Sequence, residues 1–254
     1  MSVELDFIKD MFDSIAPKYD FLNRFLSAGQ DIIWRREMVV SADIPQDSRV
    51  LDVACGTCDV ALEVKRQKGN TVTIFGTDFS PGMLALGKNK IMKKIKDKSN
   101  GLKADNHSIH KNSNIHLVAG NALALAFRDE IFDAVFIAFG IRNIMDREGA
   151  ILEFHRTLKT GGTLAILELT SPPEGFFRDI YLLYFKRLLP AIGAIFSKNS
   201  SAYSYLPASV LNFPTPEQFA ATIRESGFKS VKCKGMTFGI VTLFIGKKSS
   251  LLQK

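Results

Sequence analysis

Two short segments of the sequence combine glycine with acidic residues in a way that suits a nucleoside ligand. In the first, VLDVACGTCDV, an apolar run delivers Asp52 and then turns at Gly56. In the second, FGTDFSPGM, Asp78 ends the next apolar run. Glycine lets the backbone approach a ligand closely, and an acid at the end of the second strand of such a unit accepts hydrogen bonds from both ribose hydroxyls. A third apolar run leads to Asn121 and Ala122, which are placed to meet an adenine edge.

The first segment is not the fingerprint of a dinucleotide site. Thr57 and Cys58 follow Gly56, whereas G-x-G-x-x-G needs further glycines to make room for a pyrophosphate. A nucleoside with a sulfonium and an amino acid tail does not need that room, and it offers charges that carboxylates such as Asp52 can hold. The segment therefore fits S-adenosylmethionine better than NAD. The alternative is a turn that serves packing alone.

Cys55 and Cys58 form a C-x-x-C pair, which is also found in redox and zinc sites. Cys233 is far away in the sequence, and no Cys/His group with metal-ligand spacing accompanies the pair. Small side chains in a cofactor turn explain both cysteines, so we expect no metal and give redox chemistry little weight. Three cysteines are too few for a disulfide framework, which predicts a reducing, cytoplasmic setting.

The elements around these residues alternate between apolar β-branched runs and helical patterns, in a chain of 254 residues with 46% hydrophobic residues. This alternation predicts a Rossmann-like α/β fold with a doubly wound, seven-stranded sheet, helices before the first strand and a helical insert before the last two. Ser80, Asp146 and Thr215 are predicted helix N-caps, and Gly161-Gly162 is predicted to close the helix that Asp146 begins. The predicted strands are 49–54, 72–77, 115–119, 132–139, 163–169, 229–234 and 238–246.

The net charge of +7 lies almost entirely in one segment. Between Lys88 and Lys111, eight lysines and two aspartates leave +6, so the rest of the chain is nearly neutral. We interpret residues 93–114 as a flexible Lys-rich insert, and no nucleic-acid partner is expected because no aromatic residues are interleaved with the charge.

Three longer segments resemble the ubiquinone/menaquinone biosynthesis C-methyltransferase family. They are KYDFLNRFLSAGQDIIW near the N-terminus, the pentapeptide FGIRN at 139–143, and RTLKTGGTLAILELT at 156–170. The resemblance covers nearly the whole chain apart from the Lys-rich insert. It implies a class I S-adenosylmethionine-dependent methyltransferase that converts demethylmenaquinol to menaquinol, methylates 2-polyprenyl-6-methoxy-benzoquinol, or does both.

By this resemblance, Thr57, Asp78, Asn121 and Ala122 contact the cofactor, in addition to Asp52 and Gly56. Three departures from the family pattern stand out, and they are Asp31 for histidine, Cys58 for glycine and Ala138 for serine. They leave room for a different substrate or a weaker cofactor site.

For this reaction we expect Arg142, at the end of the fourth strand beside the cofactor, and the neighbouring Asn143 to be the catalytic residues. An arginine is almost never deprotonated, so we expect Arg142 to stabilise a phenolate or to organise a water molecule. The alternative is that Arg142 only pairs with a carboxylate and holds its loop. Tyr19, Asn23 and Trp34 are the predicted substrate lid, with helix packing as the equal alternative for Tyr19 and Trp34.

We interpret the chain as a single methyltransferase domain. Its predicted parts are an N-terminal helical lid (1–45), a cofactor-binding core (46–170), a helical substrate-side insert (171–213) and a C-terminal helix and hairpin (214–248). The expected partners are a prenylated quinol, the membrane surface on its inner face and a second copy in a homodimer. Two other functions stay open: methylation of another small aromatic or lipid, and a non-catalytic scaffold that binds cofactor or lipid.

Overall fold

The computed structural model describes residues 11, 13, 16, 19–98, 114–183 and 201–249. Seven strands form one sheet: β1 Arg49–Val53, β2 Thr73–Asp78, β3 Ile115–Ala119, β4 Phe132–Ala138, β5 Leu158–Leu169, β6 Phe228–Met236 and β7 Val241–Lys248. Eight α-helices of the described residues surround it: α1 Tyr19–Leu26, α2 Gln30–Ser41, α3 Asp59–Lys68, α4 Pro81–Lys98, α5 Arg147–Thr157, α6 Phe176–Leu183, α7 Ser201–Leu211 and α8 Pro216–Glu225.

The strand order is β3-β2-β1-β4-β5-β7-β6. The first five strands are parallel, whereas β7 runs antiparallel to both β5 and β6. This arrangement confirms the predicted seven-stranded α/β fold. The strand order reverses between β1 and β4, since β2 and β3 follow β1 on one side and β5 follows β4 on the other. The carboxyl ends of β1 and β4 therefore border a crevice, which is where ligands of open α/β sheets bind.

The central strands of the sheet are buried on both faces, as a doubly wound fold requires. Along β4, Ala134 and Phe136 belong to one apolar cluster, and Val135 and Ile137 belong to another. Helices α2 and α3 cover the first face, and α5 and α8 cover the second. A strand buried on both sides is apolar at every position, which is why the β-branched runs of the sequence located the strands well.

All three predicted N-caps make the expected bonds, and the Ser80 hydroxyl accepts one from the Met83 amide at 3.0 Å. The Asp146 carboxylate accepts a hydrogen bond from the Gly149 amide at 2.8 Å, and Thr215 forms a capping box with Gln218. The predicted end of the α5 helix is wrong, however, because α5 ends at Thr157 and β5 begins at the next residue. Residues 160–162 instead lie where the pairing of β4 with β5 shifts register, with Thr160 and Gly161 exposed and Gly162 buried.

The Lys-rich segment also differs from its prediction. Helix α4 continues to Lys98, so the flexible insert does not begin at residue 93. Residues 99–113 lie outside the described residues, as do 184–200 of the predicted substrate-side insert. In the parts of the chain that the structure describes, none of the helices has the length and apolar character needed to cross a bilayer.

Candidate active site

A cavity of about 1150 Å³, counting the space at its open mouth, lies at the carboxyl ends of β1, β2 and β4. Its wall comes from α1 and from the loops that follow four strands. The lining residues are Tyr19, Val53, Ala54, Gly56, Thr77, Asp78, Phe79, Met83, Gly120, Asn121, Ala122, Leu123, Ala138, Phe139, Gly140, Asn143, Ile144, Met145 and Asp146. Six predicted site residues are among them: Tyr19, Gly56, Asp78, Asn121, Ala122 and Asn143. The other five, Asn23, Trp34, Asp52, Thr57 and Arg142, do not line it.

Asp78 is fixed by the backbone around it. Its Oδ2 accepts a hydrogen bond from the Gly56 amide at 2.8 Å, and its Oδ1 accepts one from the Ser80 amide at 2.9 Å. Burial raises the pKa of Asp78, although the hydrogen bonds from Ser80 and Gly56 oppose this shift. A carboxylate has about four lone-pair directions, so these bonds leave acceptor capacity facing the cavity. This is the arrangement that ribose hydroxyls require.

The turn at residues 55–58 is tight. The Cys58 amide donates to the Cys55 carbonyl at 2.8 Å, and Gly56 has a φ of +52°. Cys58 has a φ of +68°, in the left-handed region that glycine adopts at little cost. This conformation explains why a glycine is usual at the position, and the Cys58 side chain fills the space beside Gly87.

The two cysteines of the turn are reduced and buried, with 4.0 Å between their Sγ atoms. The hydrogen bond from Cys58 and burial raise the pKa of the Cys55 thiol well above its ordinary value. Since the thiolate is the reactive form, both features make the pair slow to oxidise. Among the described residues, no group of three or more His, Cys, Asp or Glu side chains is arranged to hold a metal ion.

Asp52 faces the sheet-covering helix α3 and not the cavity. Its Oδ2 accepts a hydrogen bond from the Ala61 amide at 3.2 Å, and the residue is 2% exposed. Burial raises the pKa of Asp52 to about 8, against the opposing effects of the Ala61 hydrogen bond and Arg35. These contacts support the packing of α3 below the turn, and the contact with a ligand charge expected of Asp52 stays a prediction.

Thr57 lies in the cofactor turn, but its side chain is used within the protein. Its hydroxyl donates to Asp20 Oδ1 at 2.6 Å and accepts from the Lys90 ammonium at 3.2 Å. The cofactor contact implied for this residue stays a prediction.

The FGIRN segment follows β4 as a left-handed residue at Phe139, Gly140 and a short 3₁₀ turn. Asn143 lines the cavity, and its Oδ1 accepts a hydrogen bond from the Tyr205 hydroxyl at 3.1 Å. This bond fixes the amide and leaves its NH₂ group as a donor. Tyr205 on α7 thereby joins the site, which the sequence located only as part of the substrate-side insert.

The Arg142 guanidinium is buried against β5. Its Nη1 donates to Glu168 Oε1 at 2.7 Å and to the Phe139 carbonyl at 2.6 Å, while the Arg142 amide donates to Glu168 Oε2 at 3.1 Å. Burial lowers the pKa of Arg142, but the charge of Glu168 outweighs it together with the hydroxyls of Tyr19 and Tyr205, so the net shift is upward. Arg142 is a permanent cation, and it cannot act as a base.

One nitrogen of the Arg142 guanidinium makes no hydrogen bond within the described residues. This atom, Nε, is buried. A buried donor without a partner costs about 1–3 kcal/mol, a cost that an ordered water molecule bonded to Nε would relieve. The pairing with Glu168 is what the loop-holding alternative expects, whereas the Nε atom is what the catalytic interpretation needs.

Trp34 and Asn23 lie on α2 and α1 but outside the cavity wall. Trp34 is 6% exposed, its Nε1 donates to Thr237 Oγ1 at 2.8 Å, and its ring packs against Phe139. These contacts favour the packing interpretation of Trp34 over a role as a substrate lid. Of the three predicted lid residues, only Tyr19 reaches the cavity.

Comparison with known proteins settles the family. The model of the ubiE/COQ5 methyltransferase family matches residues 1–248. The chain belongs to this family. The family membership confirms the resemblance carried by FGIRN and the two longer segments, and it confirms an S-adenosylmethionine-dependent methyltransferase.

Relatives within the ubiE/COQ5 family are similar over nearly their whole length. The Geobacter sulfurreducens protein named ubiquinone/menaquinone biosynthesis C-methyltransferase UbiE is 45% identical over 95% of this chain and 88% of its own. The Thermus thermophilus protein named demethylmenaquinone methyltransferase is 42% identical over 94% of this chain and 100% of its own.

Solved structures show the same fold at much lower identity. The Haemonchus contortus phosphoethanolamine N-methyltransferase 2 with S-adenosylmethionine has a TM-score of 0.58 and 15% identity, covering 91% of this chain and 60% of that one. The [4+2]-cyclase SpnF has a TM-score of 0.64 and 17% identity, covering 95% and 96%. Because one of these proteins is named as a cyclase, the fold alone does not decide the reaction, and the family membership does.

Proposed function

We propose that the protein transfers the methyl group of S-adenosylmethionine to a ring carbon of demethylmenaquinol and so forms menaquinol. The observation that carries this proposal is the intact FGIRN segment, which puts Asn143 on the cavity wall and Arg142 beside it. Relatives named for this reaction are 42% identical over 94% or more of the chain. A polyprenyl-methoxybenzoquinol is the second candidate substrate, since other relatives are named for ubiquinone as well as menaquinone.

The residues of the cavity fit the cofactor without further groups. When bound, S-adenosylmethionine supplies an electrophilic methyl group on its sulfonium. Asp78 would accept hydrogen bonds from the ribose hydroxyls, the Gly56 backbone would approach the ligand closely, and Asn121 and Ala122 would border the adenine. The remaining wall at Phe139, Gly140 and Met145 is apolar, as an aromatic acceptor requires.

The chemistry asks little of general bases. A quinol that loses a hydroxyl proton becomes nucleophilic at the neighbouring ring carbon, and alignment with the methyl donor then supplies most of the rate. The Asn143 NH₂ group on the cavity wall would donate to the phenolate oxygen, and the buried Arg142 cation beside it would favour the charged form of the acceptor through its field or through an ordered water molecule. Glu168 holds the guanidinium in place for that role.

The test is methyl transfer from labelled S-adenosylmethionine to two reduced acceptors in detergent: demethylmenaquinol and a demethylated polyprenyl-methoxybenzoquinol. Label in the first product supports the proposal, and the ratio of the two rates names the preferred ring. If the protein binds the cofactor and labels neither acceptor, the quinol assignment fails. Another small aromatic or lipid acceptor, or a scaffold role, would then take its place.

A peripheral position on the membrane is a further part of the proposal, because a prenylated quinol resides in lipid. Helix α1 exposes Phe21 and Phe25, which are 57% and 51% exposed, and α6 exposes Phe176 at 73%. Such side chains suit insertion at a lipid surface. Cosedimentation with liposomes, with and without anionic lipid, tests this, and no binding to either would refute it. The homodimer stays a prediction that analytical ultracentrifugation would test.

A further inference from the structure

Six alternating charges connect four helices around the cofactor turn. Starting on α1, Arg24 pairs with Asp31 of α2 at 3.2 Å, and Asp31 pairs with Arg35 at 2.6 Å. Arg35 lies 3.9 Å from Asp59 at the start of α3. Lys90 of α4 then contacts Asp59 at 2.6 Å and returns to α1 at Asp20, also at 2.6 Å. The chain of charges thus begins and ends on α1, and we call it the charge ring (Asp20, Arg24, Asp31, Arg35, Asp59, Lys90).

The charge ring explains two features of the sequence, the aspartate at position 31 and one lysine of the Lys-rich segment. Asp31, which stands where histidine is usual, is 3% exposed and bridges two arginines of the ring. Lys90 belongs to the Lys-rich segment, yet its ammonium contacts two carboxylates and the Thr57 hydroxyl. The charges of Arg35 and Lys90 lower the pKa of Asp59, although burial acts against them.

Helix α1 is joined to the cofactor turn at one point of this ring. Asp20 accepts hydrogen bonds from both Thr57 and Lys90. The preceding residue, Tyr19, lines the cavity and lies within electrostatic reach of Arg142. The contacts of Asp20 therefore connect Tyr19 at the cavity wall to the turn that contains Gly56 and Thr57.

We propose that the charge ring is a latch, with Asp20 as its releasable member. Binding of S-adenosylmethionine at the turn of Gly56 and Thr57 stabilises the bond from Thr57 to Asp20, so α1 is held more firmly and Tyr19 is kept at the acceptor end of the cavity. Asp20 is the releasable member because it is the α1 residue that bonds to the turn at Thr57 and its side chain is 40% exposed, whereas Asp31 and Arg35 are buried. Arg24, the other ring member on α1, is 47% exposed and pairs with Asp31 rather than with the turn. Asp20 and Lys90 are positioning residues, and this role rests on the proposed function.

Hydrogen exchange of the intact chain, with and without S-adenosylhomocysteine, tests the latch. In the wild type, amide protection of residues 19–26 should rise when the ligand binds. Asp20→Asn and Lys90→Met should abolish most of that rise. Because ligand binding and the attachment of α1 are coupled, both variants should also weaken the affinity for S-adenosylhomocysteine. The expected loss is about three- to fivefold, as for the loss of a partly exposed ion pair.

The matched control is Lys88→Met, which removes an exposed lysine from the same helix. It should leave both protection and affinity at the wild-type values. In turnover assays, Asp20→Asn should raise the KM of the quinol more than it lowers kcat, because Asp20 does not touch the reacting atoms. Thermal denaturation checks that the variants are folded, and a smaller effect at high salt would identify the ionic contribution.

The outcomes separate the latch from the proposed function. If ligand binds to the wild type without changing protection of residues 19–26, or if Asp20→Asn behaves like Lys88→Met, the latch is refuted. If the latch behaves as expected but neither quinol is methylated, the substrate assignment fails and the latch stands. A wild-type chain that binds no ligand would overturn both.

Discussion

Replacing Glu168 by glutamine should destabilise the protein strongly, because it leaves the buried Arg142 cation without its anionic partner. Glu168 is completely buried and accepts hydrogen bonds from the Arg142 side chain, the Arg142 amide and the Leu169 amide. Removing one partner of a buried ion pair costs about 3–5 kcal/mol. For a chain of this size each kcal/mol lowers Tm by about 2–4 °C, so the lower limit of 3 kcal/mol corresponds to a fall of about 6–12 °C.

The assay is urea unfolding of the Glu168→Gln variant, with Tm measured in parallel. The matched control is Glu174→Gln, which breaks the Arg178–Glu174 pair at the surface, where Glu174 is 93% exposed. That variant should lose less than about 1 kcal/mol. The double variant Arg142→Met with Glu168→Gln removes both charges, so it should be more stable than Glu168→Gln alone.

A loss in Glu168→Gln as small as the loss in the surface control would refute the reasoning. Activity supplies an independent readout. Arg142→Ala should lower turnover about 100- to 10,000-fold with little change in cofactor affinity, since the guanidinium is argued to act on the acceptor. Equal losses in turnover and in cofactor affinity would favour the loop-holding role.

Three further measurements address stability and reactivity. Burial gives Asp52 a folded-state pKa of about 8 against an ordinary 3.8, so the folded state binds the proton more tightly than the unfolded state. The contribution of Asp52 to the free energy of unfolding is complete below about pH 4 and is lost as the pH rises towards about 8. Over this range the free energy of unfolding should fall by about 1.4 kcal/mol per pH unit. Urea unfolding at a series of pH values should show this fall in the wild type and not in Asp52→Asn. With a thiol reagent, Cys233 should react fast in the folded protein and Cys55 and Cys58 slowly, a difference that mass spectrometry would detect and that equal rates would contradict. Thr215→Ala should lower the free energy of unfolding by about 1 kcal/mol through loss of the capping box. An unchanged free energy would show that the capping box does not stabilise the protein.

The sequence predicted what depends on local pattern. The runs of β-branched residues located all seven strands, and Gly56 and Asp78 were placed at the ligand edge because parallel strands bring their carboxyl ends together. The ends of elements were less predictable. Gly161 and Gly162 look like a helix stop in the sequence, whereas tertiary pairing of β4 with β5 makes them part of a strand.

Contacts between distant residues lay beyond pattern reasoning. Trp34 bonds to Thr237, which is 203 residues away in the chain, and this decides that it packs rather than lines the cavity. The partner of Arg142 is Glu168, a lone acid inside a buried apolar strand, and such a residue is the one signal that could have identified it. Asp52 looked equivalent to Asp78 in the sequence, but only Asp78 faces the cavity.

The central claim is tested most directly by the position of the transferred methyl group. S-adenosylmethionine carrying a ¹³C-labelled methyl group would be incubated with the protein and reduced demethylmenaquinol, and the product examined by NMR. The account predicts a label on a ring carbon, a requirement for the reduced acceptor, and product formation that is at least about 100-fold slower with Arg142→Ala. A label on oxygen, or no transfer to either quinol by a protein that binds the cofactor, would contradict it.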